Sequence, residues 1–307
     1  MIWGDGRRLA SDSLVHAAQA SGAFDEVATF EAGSGPDKAT RWGAFTPLQW
    51  AWADSTSLKL WRGRRRCRPA LVQDRSAALR SSVAGSPNLD VRVPSCPDWS
   101  LRDLVEHLTD VQRFWAAAVV AGPSEKPPTV APVDDTLSVD LLVRSAAATQ
   151  ELIGALRGAG PAADCWTWWG NSDVPTTSGA VARHQVLEAA VHAFDAQLAT
   201  GTPQPVAAVV ALDGIAEFIG ISHGTAGPWL REPARIGLHA AEGESWLVDV
   251  TESGSHLIDG QHETDADLHG SASNLLLALH GRLPLDNLRS EGDRATLENL
   301  VNWPDLS

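Results

Sequence analysis

A chain of 307 residues that is 44% hydrophobic and 20% charged has the composition of an ordinary globular protein, long enough for two domains with an ample core. Its formal net charge of −14 argues against nucleic acid and anionic membrane surfaces, which would repel it, and leaves small molecules as the expected ligands. Cys67, Cys96 and Cys165 form no Cys-x-x-Cys pair, so neither a disulfide framework nor a thiolate zinc site is expected, and no apolar run reaches the roughly 18 residues of a membrane span.

In chain order, residues 1–68 read as a poorly ordered extension. Short apolar pieces are separated by Gly, Ser and Asp, and the basic run Arg62 to Arg68 closes the segment. From Leu71 the pattern sharpens. Leu71 to Val83 is the first expected helix, stopped by Gly85-Ser86-Pro87. Val93 to Trp99 is an extended loop held by Pro94 and Pro97. Ser100 is the expected N-cap of a second helix, with Asp103 in capping-box position, and the helix runs to Gly122-Pro123. His107 lies at the edge of its apolar arc, beside Val111 in projection.

A third helix is expected over 137–156, then a loop dense in tryptophan (Cys165 to Gly170), then a helix from Arg183 to Leu198. This fourth helix reads as amphipathic: Leu187, Val191, Phe194 and Leu198 form an apolar stripe, and His184, Glu188, His192 and Asp195 a polar one beside it. Beyond Thr202-Pro203 one more helix is expected over 206–221. Strand-like runs follow at 235–240, 245–250, 266–269 and 285–289, with short helices at 271–280 and 294–301. The expected fold class is α+β: a four-helix bundle over 69–203, then a small domain over 204–307 with a mainly antiparallel sheet, residues 204–222 forming the connecting helix.

An i,i+4 pair of Glu and His can grip one metal ion from successive turns of a helix. His184 and His192 are eight residues apart, roughly 12 Å along the axis, too far to share an ion whose ligand bonds are about 2 Å. The pattern therefore points to Glu188 with either His184 or His192, completed by an outside ligand such as His107.

Three motifs converge on a family. Cys96-Pro97-Asp98-Trp99-Ser100 leading into Asp103-Leu104 and His107-Leu108, Glu188 spaced from His192 and Asp195, and Leu275-Leu276-Leu277 leading to Gly281-Arg282 together resemble the mycothiol-dependent maleylpyruvate isomerase family. The resemblance implies a DinB-like four-helix bundle followed by a sterol-carrier-like α/β C-terminal unit. It selects His107, Glu188 and His192 as ligands of zinc or another divalent metal, with mycothiol as the thiol cofactor. By the same resemblance the thiolate adds to the activated double bond of maleylpyruvate, the single bond rotates, and elimination yields fumarylpyruvate. Asp195 is then expected to orient His192 or shuttle a proton, and Arg282 to pair with a substrate carboxylate. Attachment of mycothiol to another electrophile, or a non-catalytic metal-containing binding module, are the alternative readings. The expected partners are a small-molecule substrate and a low-molecular-weight thiol, with no nucleic acid and no membrane, for a monomer in the cytoplasm.

Overall fold

The computed structural model describes residues 55–130 and 140–304, with side chains from residue 68 onward. Its first helix, α1 (Ser55–Ala84), carries Pro69 inside it. A proline removes a backbone donor and restricts the residue before it, which is why the pattern alone starts this helix at Leu71. The expected boundary at 68/69 therefore falls within a helix, and the basic run to Arg68 belongs to that helix rather than to an unstructured tail. The remainder of the expected extension, residues 1–54, lies outside the described residues.

The stretch expected to be only an extended loop forms a hairpin, β1 (Arg92–Val93) with β2 (Cys96–Ser100), turning at Pro94-Ser95. Ser100 then caps α2 (Leu101–Ala121): its side chain accepts from the Asp103 N–H while Asp103 accepts from the Ser100 N–H, and Gly122 at φ 77° ends the helix. Asp140 caps α3 (Leu141–Ala159), and Thr177 caps α4 (Ser178–Ala199). In the bundle α1 lies against α3 and α4, and α2 against the same two helices.

The fourth helix departs from the amphipathic expectation. His184, Gln185, Glu188, His192 and Asp195 are buried along with the apolar residues beside them. Its polar stripe lies among buried apolar residues on nearly every other side, so the helix is buried almost all round rather than split into a wet and a dry face.

The C-terminal unit opens with α5 (Ala208–Phe218), which widens into a π-turn over Ile219–His223. Five strands follow: β3 (Ala234–Ala240), β4 (Ser245–Thr251), β5 (Gly254–Ile258), β6 (Ala266–Gly270) and β7 (Arg289–Gly292). Their order is β5-β4-β3-β6-β7, and every pairing is antiparallel except β3 with β6. The strand expected over 285–289 is instead a 3₁₀ turn (Leu285–Asn287) feeding β7. Helices α6 (Ala272–Leu279) and α7 (Arg294–Asn302) complete the unit.

One hydrophobic core runs from Trp115 and Leu152 in the bundle, through Leu187 and Ile215, to Ile236 and Leu276. Gly214 lets α4, α5 and α6 meet, because a Cβ there would lie 2.9 Å from Leu187 Cδ1 and 3.3 Å from Leu276 Cδ1. Beside this contact Arg183 reaches Asp213 at 3.1 Å, and Arg68 reaches the same carboxylate at 3.3 Å. Among the described residues no helix is long and apolar enough to cross a membrane.

Candidate metal centre

Helices α2 and α4 cross so that His107 faces Glu188 and His192. The Nε2 atoms of both histidines approach Glu188 Oε1 at 3.2 Å, and one donor atom from each of the three residues lies within 4.8 Å of the other two. The imidazole rings stand nearly perpendicular, at 80° with centroids 5.2 Å apart. Trp99, at the end of β2, packs its ring 4.6 Å from that of His107 and 6.2 Å from that of His192. The pattern reading did not assign Trp99 to the site; its placement follows from the hairpin, whose pairing no local motif announces.

The second nitrogen of His192 is held from behind. Its Nδ1 lies 3.0 Å from Asp195 Oδ2, and an ionised carboxylate only accepts, so Nδ1 carries a proton and Nε2 is left facing the centre. Asp195 is itself fully buried and held by three groups. Arg282 donates from Nε to Oδ1 at 3.2 Å and from Nη2 to Oδ2 at 3.1 Å, and Ser95 Oγ donates to Oδ1 at 2.5 Å. The forked edge of Arg282, expected to grip a substrate carboxylate, thus grips Asp195 instead.

Charge at the site follows from these contacts. Burial opposes ionisation of Glu188 and Asp195, but hydrogen bonds from His107 and His192 hold Glu188 well below the usual carboxylate range, and Arg282 with His192 does the same for Asp195. Burial pushes His107 down despite Glu188, whereas Asp195 and Glu188 overcome burial and raise His192. Two buried carboxylates against one guanidinium favour a further positive charge, which a proton on His192 or a cation can supply. The donor set of two imidazoles and one carboxylate fits a borderline divalent ion such as Zn²⁺.

His184, the alternative ligand, is taken out of the centre. Its Nδ1 lies 2.8 Å from Glu217 Oε1 on α5, and its ring sits among Trp115, Trp168 and Trp169 at centroid distances of 5.8, 6.0 and 5.2 Å. The tryptophan-rich loop therefore packs the core around His184. Cys96 Sγ lies 3.4 Å from Arg282 Nη2, but burial raises its thiol to about 11, so it is protonated at neutral pH and a poor nucleophile. A cavity of about 510 Å³ opens on the Asp195 side, lined among others by Ser95, Leu198, Arg282 and Arg294.

Residues 70–197 match the family model of the mycothiol maleylpyruvate isomerase N-terminal domain, and residues 209–299 match that of the MDMPI C-terminal domain. The chain belongs to this family. His107, Glu188, His192 and Asp195 all fall in the N-terminal module of the maleylpyruvate isomerase family, and Arg282 in the C-terminal one. Solved structures of the mycothiol-dependent maleylpyruvate isomerase and of a mutant of it are similar at 14% identity, covering 74% of this chain and 92% of theirs, with a TM-score of 0.48. No curated protein sequence matches the chain.

Proposed function

We propose that the chain is a zinc-dependent, mycothiol-using isomerase that converts maleylpyruvate to fumarylpyruvate. The observation that carries this reading is the convergence of His107 Nε2, Glu188 Oε1 and His192 Nε2 from two helices on one point. In the proposal these three hold the ion, and the three-residue donor set leaves coordination positions open to a ligand. A divalent ion so held supplies a position at which a thiol sulfur loses its proton readily.

The chain's own residues prepare that position. Asp195 keeps the Nδ1 proton on His192, which aims Nε2 and raises the basicity of the ring. Arg282 and Ser95 keep Asp195 ionised and fixed. Trp99 covers the imidazoles and limits water, which strengthens every charge interaction inside.

The test is metal analysis of the purified protein together with mycothiol-dependent isomerisation of maleylpyruvate, for wild type and His192→Ala. Loss of metal and activity together in the variant supports the reading. Wild-type protein that holds metal but does not isomerise maleylpyruvate in the presence of mycothiol removes the isomerase assignment and leaves thiol transfer to another electrophile.

A further inference from the structure

The outer face of the C-terminal sheet carries a chain of hydrogen bonds that the metal centre does not use. Ile236, Leu238, Val248 and Leu268 point into the core. By strand alternation Gly237 and His239 on β3, Ser245 on β4, and Asp267 and His269 on β6 therefore share the opposite face. The register sets His239 directly across from Ser245 on one side and beside His269 on the other.

His239 Nε2 lies 2.8 Å from Asp267 Oδ1, and its Nδ1 lies 3.0 Å from Ser245 Oγ. Thr264 Oγ1 donates to the second oxygen of Asp267 at 2.5 Å. The rings of His239 and His269 stack with centroids 4.5 Å apart and planes at 19°. The His239 ring is thus held at both nitrogens and on one face, while Ser245 is exposed and the His239 side chain keeps 36% of its surface open to solvent. Gly237 marks what this arrangement requires. A Cβ there would collide with Asp267 Oδ1 and His239 Nε2, so the middle of β3 forgoes a side chain, which weakens a strand, where the His–Asp contact passes over it.

Burial opposes ionisation of Asp267, but hydrogen bonds from Thr264 and His239 hold its carboxyl below the usual range. A carboxylate only accepts, so Nε2 carries a proton; in the neutral ring Nδ1 is then the acceptor, and the Ser245 hydroxyl donates to it. A hydroxyl bonded to an imidazole that a carboxylate orients is a nucleophile with its base in place, whichever ring nitrogen faces it.

We propose that Ser245, with His239 as its base and Asp267 positioning that base, is an acyl-accepting nucleophile toward small activated carboxylic esters. Ser245 Oγ bonds to the ester carbonyl carbon as its proton passes to His239 Nδ1. The bond from that carbon to the leaving oxygen breaks, and the leaving group departs with the proton. Water then adds to the acyl-serine through the same base, and the carboxylic acid leaves as Oγ regains a proton.

The full chain is incubated with 4-nitrophenyl acetate, and acetylation of the peptide holding Ser245 is followed by mass spectrometry of acid-quenched samples, alongside nitrophenolate release. Acetyl on Ser245 in the wild type, formed about 10²-fold more slowly in His239→Phe, is the expected result. No acetyl on Ser245, or an equal rate of its formation in His239→Phe, overturns the proposal. Should that variant fail to fold, the wild type unfolded in urea supplies the comparison: acetylation of Ser245 about 10²-fold slower than in the folded chain supports the relay, and equal rates overturn it. Neither metal nor mycothiol enters these readings, so they stand apart from the isomerase assignment.

Discussion

Helix α4 carries two buried histidine–carboxylate pairs two turns apart, and they have opposite characters. His184 meets Glu217 through a single contact of 2.8 Å and is otherwise enclosed by tryptophan rings. His192 has a carboxylate at each nitrogen, Glu188 at 3.2 Å and Asp195 at 3.0 Å, and a second imidazole arrives from α2. Burial and a carboxylate partner are common to both. What separates a packing pair from a candidate metal centre is whether a further donor converges from another helix and whether the ring is held from behind.

The largest effect that tests this contrast is expected at Glu188. Glu188→Ala should abolish bound metal, read by elemental analysis, whereas Glu217→Ala should leave metal content at the wild-type level. Equal metal loss in both variants would erase the distinction. Next, Glu217→Ala should lower stability by about 3–5 kcal/mol in urea unfolding, because it strands His184 inside the core.

A third buried imidazole gives a reference that has no acid partner. His223 donates from Nε2 to Leu300 O at 3.1 Å, and burial lowers its pKa from the ordinary 6.5 to about 4. Above pH 6.5 it is neutral whether folded or unfolded, and below that only the unfolded chain gains the proton. Stability should therefore fall, by on the order of 2–3 kcal/mol, as pH drops from about 6.5 to about 4. His223→Phe should flatten that slope in acid titrations followed by tryptophan fluorescence. The smallest effect is expected at Asp195, where Asp195→Asn should weaken metal affinity by about 10–100-fold in a chelator competition, and an unchanged affinity would detach it from the centre.

Much of the helical framework is written in local chemistry. Ser100 and Asp103 announce the start of α2, Gly122 its end, and the spacing of Glu188 and His192 puts both on one face of α4. The choice between His184 and His192 is not local, because it depends on which neighbouring helix each side of α4 meets: α5 for the first, α2 for the second. The Asp195–Arg282 pair spans 87 residues, and no periodicity encodes it. The start of α1 was hidden by Pro69, since the proline's local preference was overridden by the helix on either side of it. Strand β5 escaped because Gly254, Ser255 and His256 give it no apolar alternation, and as an edge strand it needs little.

Arg282 comes from the C-terminal unit, yet its guanidinium fixes the carboxylate that aims His192 in the bundle. Whatever this bridge contributes to holding an ion is returned as cohesion between the two halves, since thermodynamic linkage is reciprocal. On the proposed function, metal loading and docking of the halves would be a single coupled equilibrium, and a change at either end would register at the other.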